Sequence, residues 1–218
     1  MLVSVLCLLL ILTSLLASEY HSLTGAVKVY LGQALLLVLI LATYAFYLPN
    51  HALLLWSLTV LISKVVIIPC LLWRYLKKVD SNELGTILPA PLSIVIGIVV
   101  TAGSFGVTYL YYPLLTLGGE LSKQPFHINM SAAVAIMAVG LYALLNRRHA
   151  VKAVIGLCLL ENGVHMSLVS LAPSIPETAM IGIVTDVVIS VWMLLYIAGQ
   201  IYSLAGLSDT CKLSKLRG

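Results

Sequence analysis

From Val151 to Leu171 nearly every residue is Val, Ile, Leu, Ala, Met or Gly, a run long enough to cross a bilayer as one helix. Near its centre stands Glu161, with His165 four residues on. At helical spacing the two share a face one turn apart, with about 5–6 Å between their Cβ atoms. An ionisable side chain at that depth costs about 2.5–3.5 kcal/mol on insertion scales, so it turns toward a partner or a hydrated cavity. Whatever surrounds this run must make the placement tolerable.

Composition extends the same constraint to the whole chain. Of 218 residues, 61% are hydrophobic and 9% charged. A soluble domain carries about 25% charged residues because its surface requires them; this surface faces lipid. The reading is an all-α integral membrane protein of one transmembrane domain, residues 1–218. Its net charge of +4 does not indicate nucleic acid, because the basic residues sit in short loops beside apolar runs. Cys7, Cys70, Cys158 and Cys211 form no CxxC and no Cys/His pair at metal spacing. The first three lie inside apolar runs, where a cysteine behaves as a small hydrophobe.

Seven apolar spans are expected. The first, Met1 to Ala17, lacks the preceding Lys or Arg of a signal peptide and reads as a retained helix. The second runs from about Ala26 to Tyr47 with Gln33 as a helix–helix hydrogen bonder. The third, about His51 to Trp73, has Lys64 near its midpoint. Pro69 cannot donate to the carbonyl of Val65, so a kink is expected beside the lysine. The fourth, about Pro91 to Tyr112, carries Gly97, Gly103 and Gly106 for close helix contact. The fifth is Met130 to Leu145, the sixth is the run that holds Glu161, and the last, about Thr178 to Leu204, contains Thr185 and Asp186. Five spans thus fall in 1–145 and two in 146–218.

Charge supports that count. Lys28, Arg74, Lys77, Lys78, Arg147, Arg148, Lys152, Lys212, Lys215 and Arg217 gather on one side, Lys123 stands on the other, and Lys64 is inside. The bias places the C-terminus in the cytoplasm and the N-terminus outside.

Three charged residues therefore fall at mid-membrane depth, Lys64, Glu161 and Asp186, with His165 as a fourth ionisable group. An apolar environment disfavours the charged forms of acids and bases alike, so such groups are candidates to exchange protons near neutrality. Spaced titratable groups linked by water are what a proton path requires. Against this stands a structural role, in which an ion pair such as Lys64 with Asp186 holds helices together. His51, His127 and His149 sit at span ends or in loops and read as surface residues. Asn162 and Gly163 read as packing and local hydration. Catalytic triads, phosphate loops and zinc motifs are absent from the sequence.

At Leu160-Glu161-Asn162-Gly163 with His165, followed by Thr185-Asp186, the chain resembles the E component of hydrogenase-4, a seven-span subunit of group 4 nickel–iron hydrogenase and formate hydrogenlyase complexes. Trp56-Ser57 and Ser63-Lys64-Val65-Val66-Ile67-Ile68-Pro69 match that family's third span. The last three spans are similar to the K subunit of complex I and the C subunit of multisubunit sodium/proton antiporters, which hold two buried glutamates used in ion translocation. Glu161 falls on the first, and Asp186, shorter by one methylene, on the region of the second. Lys64 borrows no role from complex I. The resemblance implies a non-catalytic subunit in a prokaryotic cytoplasmic membrane. Its partners would be an antiporter-like subunit, an H-type anchor subunit, and peripheral hydrogenase and iron–sulfur subunits. The nickel–iron centre and iron–sulfur clusters would reside in those partners and none in this chain. Two other readings remain: a structural adaptor between the antiporter-like and anchor subunits, and a subunit of a sodium/proton antiporter without a redox partner.

Overall fold

The computed structural model describes residues 2–47, 51–79, 89–115, 126–146, 149–171 and 177–205. All the elements formed by these residues are helical: α1 (Leu2–Glu19), α2 (Leu23–Tyr47), α3 (His51–Val60), a π-helical segment (Leu61–Ile67), α4 (Ile68–Leu76), α5 (Ala90–Leu115), α6 (Phe126–Asn146), α7 (Ala150–Leu171) and α8 (Glu177–Ala205). Segment α3, the π turn and α4 make one continuous rod, His51–Leu76. Among the described residues six helices are long and apolar enough to cross a bilayer, and α1 is a shorter apolar helix. In hydrocarbon every backbone polar group must find its partner within the segment, which is why apolar runs of this length become helices. The chain is a multi-pass membrane protein. Arg147, Arg148, Lys123, Lys212, Lys215, Arg217 and Cys211 lie outside the described residues, as do residues 48–50 and 172–176.

The tightest packing is between α6 and α7, and glycine makes it possible. A Cβ on Gly140 would lie 2.4 Å from the backbone nitrogen of Leu160, and one on Gly163 would lie 2.7 Å from that of Met137. Gly156 is nearly as confined, 3.0 Å from the nitrogen of Leu144. With lipid as apolar as the side chains, close van der Waals contact is what holds such helices together. The glycines of α5 do not serve this purpose as expected. A Cβ on Gly97 would meet Leu15, but Gly103 and Gly106 face open space. They stand on the outer side of a helix that only partly enters the bundle, so their smallness brings no neighbour closer.

The buried apolar side chains form two clusters rather than one. The first holds Cys7, Leu10, Leu41, Trp56, Val60, Met166, Val169 and Val184. The second holds Ala17, Val27, Tyr30, Ile68, Leu72, Val154, Leu159, Val187 and Val191. On each of four helices a buried polar residue stands where one cluster gives way to the other: Ser14 on α1, Gln33 on α2, Lys64 in the π turn, and Glu161 to His165 on α7. A polar layer thus crosses the bundle between two apolar halves.

Candidate functional site

Lys64 reaches this layer through the π turn. Pro69 sits at the start of α4 and lacks an N–H, so the carbonyl one turn back loses its helical donor. The backbone responds by widening, with the N–H of Ile68 donating to the carbonyl of Ser63, five residues back. The expected disturbance beside the lysine is therefore a π segment, a form often found at functional sites. Val60, Lys64, Ile68 and Leu72 are all buried and follow at steps of four, as the wider turn requires. Lys64 is 0% exposed and Glu161 5%, so both are buried.

The two meet. Lys64 Nζ lies 2.7 Å from Glu161 Oε2, and it also donates to Asn162 Oδ1. An ammonium only donates, so Asn162 must offer it the carbonyl and turn its NH2 the other way. That NH2 donates to Gln33 Oε1 at 2.6 Å. The Gln33 NH2 in turn donates to Ser14 Oγ at 3.1 Å, and Ser14 donates to the carbonyl of Leu10 at 2.7 Å. Every donor in this series points away from the lysine, so each bond polarises the next. The expected helix–helix bond of Gln33 is present, with two partners.

The carboxylate is held from its other side. His165 Nε2 is 3.2 Å from Glu161 Oε1, and Trp56 Nε1 is 3.2 Å from His165 Nδ1. An indole N–H can only donate, so Nδ1 accepts and the imidazole proton sits on Nε2, donating to Glu161. In this arrangement His165 orients the carboxylate; it takes up a second proton only if the bond to Trp56 opens. The arrangement can store a proton between Lys64 and Glu161 and shift it across 2.7 Å.

Asp186 is not part of this constellation. Expected to be buried, it is exposed on the outer face of α8, and among the described residues it has no hydrogen bond or ion pair. The inward face of α8 is Val184, Val187, Val191 and Leu195, spaced by three and four, which turns residue 186 outward. Lys64 pairs with Glu161 and not with Asp186. In height, though, Asp186 lies between Val184 of the first apolar cluster and Val187 of the second, level with the polar layer.

Two further expectations change at the other end of α7. Lys152 is not a loop cation but lies in the first turn of α7, 3% exposed. Its Nζ donates to the carbonyls of Ala17 at 3.3 Å, Ser18 at 3.2 Å and Tyr20. The first two carbonyls belong to the last turn of α1, and a cation there also complements the negative end of the helix dipole. His149 is buried rather than superficial, and its Nδ1 accepts from the N–H of Val151 at 3.2 Å as an N-terminal cap. His51 is exposed, as expected. Cys7 and Cys158 are buried, but Cys70 is exposed on the outer side of its helix. Nearby, Ser93 Oγ donates to Glu19 Oε1 at 2.9 Å and accepts from Asn146 Nδ2 at 2.8 Å, tying α5 to α1 and α6. Trp56, Asn162, Gln33 and Ser14 complete the charged pair's surroundings. The sequence singles out Gln33, Trp56 and Asn162, but not as neighbours of the pair, and for Ser14 a serine in an apolar run is the one sign.

Comparison with known proteins covers the whole chain. Residues 128–218 match the family described as NADH-ubiquinone/plastoquinone oxidoreductase chain 4L. Hydrogenase-4 component E of Escherichia coli (strain K12) is 29% identical over 220 residues, taking in 100% of this chain and 98% of that protein. The same figures hold for hydrogenase-4 component E of Shigella flexneri. An uncharacterized protein of Mycobacterium tuberculosis is 25% identical over 172 residues, 77% of this chain and 74% of its own length. No solved structure matches significantly. The resemblance expected from the sequence therefore holds, over the full chain for the hydrogenase subunit and over the last spans for the complex I subunit. The 4L match takes in Glu161 and Asp186 but not Ser14, Gln33, Trp56 or Lys64.

Proposed function

We propose that this relative of hydrogenase-4 component E is a non-catalytic, proton-conducting subunit of a membrane-bound, hydrogenase-type oxidoreductase complex. Seven spans cross a prokaryotic cytoplasmic membrane, with the N-terminus outside. An antiporter-like subunit, an H-type anchor subunit, and peripheral hydrogenase and iron–sulfur subunits surround it. The nickel–iron centre and iron–sulfur clusters belong to those partners, and formate is one candidate electron donor for the assembly. The observation that carries the reading is the Lys64–Glu161 pair, 2.7 Å apart in a polar layer between two apolar halves.

In this mechanism a change of charge in the neighbouring subunits biases the pair. The proton shared by Lys64 and Glu161 moves, and Asn162 with Gln33 and Ser14 adjusts the polarity around the lysine. Asp186, level with the layer but facing outward, carries the path to the next subunit. His165 holds Glu161 in place for the transfer. The test is Glu161→Gln in an otherwise assembled complex, with hydrogen turnover and proton translocation read together. Translocation is expected to fall while assembly persists; undiminished translocation would sink the role given to Glu161.

A second reading has its own observation. The pair meets inside the chain, with Glu161 also bonded to His165 of its own helix, as a helix-clamping ion pair would be. On that reading the chain is an adaptor, and the same variant loses assembly rather than translocation. Ion transport that needs sodium and proceeds without hydrogen turnover would instead place the chain in a sodium/proton antiporter.

A further inference from the structure

Where α4 and α8 end side by side, the chain leaves a cleft of about 620 Å³, within the range of small-molecule sites. One wall carries Arg74 and Lys78, one helical turn apart and both exposed. No counter-ion faces either among the described residues. Tyr75 between them is 6% exposed, and its hydroxyl is buried without a hydrogen-bond partner among the described residues. A buried hydroxyl left unpaired is costly, by about 1–3 kcal/mol, so an acceptor from outside the chain would be welcome there. The opposite wall is Trp192 and Tyr196, exposed rings stacked at 5.9 Å between centroids. Leu71 and Leu195 line the cleft as well.

These features fit one class of ligand. We propose that the cleft binds a single anionic phospholipid, its phosphate on Arg74, Lys78 and the Tyr75 hydroxyl and an acyl chain along Leu71 and Leu195. Two helix ends contribute about half a negative charge each, which the two cations outweigh. The stacked rings, Trp192 at the middle of the Ile181–Ser203 span and Tyr196 one turn nearer its end, flank the course of the acyl chain. Basic clefts between spans on the positively charged side are where acidic headgroups are recognised.

The test uses the full-length chain in detergent micelles, with native mass spectrometry of lipid binding. Phosphatidylglycerol is expected to bind one per chain and more tightly than phosphatidylcholine. Arg74→Ala with Lys78→Ala should weaken phosphatidylglycerol about 30-fold at low salt, roughly fivefold per charge, and leave phosphatidylcholine unchanged. Tyr75→Phe removes one oxygen without disturbing packing and should weaken it about tenfold. Arg74→Lys with Lys78→Arg keeps both charges and should retain binding. Equal affinity for the two lipids, or undiminished phosphatidylglycerol binding by the double alanine variant or by Tyr75→Phe, would overturn the proposal. So would displacement by excess inorganic phosphate, which would make this a site for the free anion.

Discussion

Helices α7 and α8 each carry a carboxylate in an apolar sequence, and the bundle treats them in opposite ways. The α7 span is 67% buried and the α8 span 22%. Glu161 meets a lysine and a histidine supplied by its own chain, whereas Asp186 stands on an outer face with Thr185 and Ile189 exposed near it. A carboxylate facing hydrocarbon is expensive, so the outer face of α8 belongs against something other than lipid. Charge within the chain is balanced on α7 and left open on α8.

The largest expected effect breaks the balance on α7. Lys64→Met leaves Glu161 buried beside no cation and should cost about 3–5 kcal/mol of stability, measured by steric-trap unfolding in bicelles. Adding Glu161→Met should restore most of that loss, because a pair replaced by apolar groups no longer needs compensation. A double variant as unstable as the single one would mean that the pair is not what Lys64 is there to satisfy.

Next in size come the glycines. Gly163→Ala on α7 presses a methyl group against the backbone of Met137, and Gly140→Ala presses one against Leu160. Each should destabilise by about 1–3 kcal/mol, and no side-chain rotation relieves the contact. Gly182 of α8 has nothing within 4 Å, so Gly182→Ala should stay within about 0.5 kcal/mol. Equal effects at the two sites would erase the contrast between the helices.

Trp56→Phe sharpens it more finely. Losing the indole donor should cost about 0.5–1.5 kcal/mol and free Nδ1 of His165. Nitrogen NMR of the labelled ring should report the Nε2–H tautomer in the wild type and a mixture in the variant. A wild-type ring already protonated on Nδ1 would contradict the assignment. The smallest effect belongs to Asp186→Asn, within about 0.5 kcal/mol for the isolated chain. A large loss there would show that Asp186 has an intramolecular role.

Much of this was legible beforehand. The apolar runs placed the helices closely, since a backbone in hydrocarbon has few alternatives. Pro69 marked the irregular turn beside Lys64, because a missing N–H acts locally. The burial of Lys64, Glu161 and His165 likewise followed from the cost of leaving them in lipid. The facing of each residue was less accessible. Helix α8 is apolar all round, so no polar stripe announced which side would turn inward. Gly103 and Gly140 look alike in sequence, yet one faces open space and the other a backbone. Lys152 read as an orientation signal, and only the approach of α1 made its ammonium a cap for Ala17, Ser18 and Tyr20.

By itself the sequence determined a helical membrane protein with ionisable groups at mid-depth, because desolvation acts on each residue wherever its neighbours stand. Only the tertiary structure decided that Lys64 pairs with Glu161, that Asn162, Gln33 and Ser14 extend the lysine's side, and that Asp186 faces out. Pairing depends on which faces of separate helices meet, and in lipid that choice rests on close packing, which hydropathy does not encode.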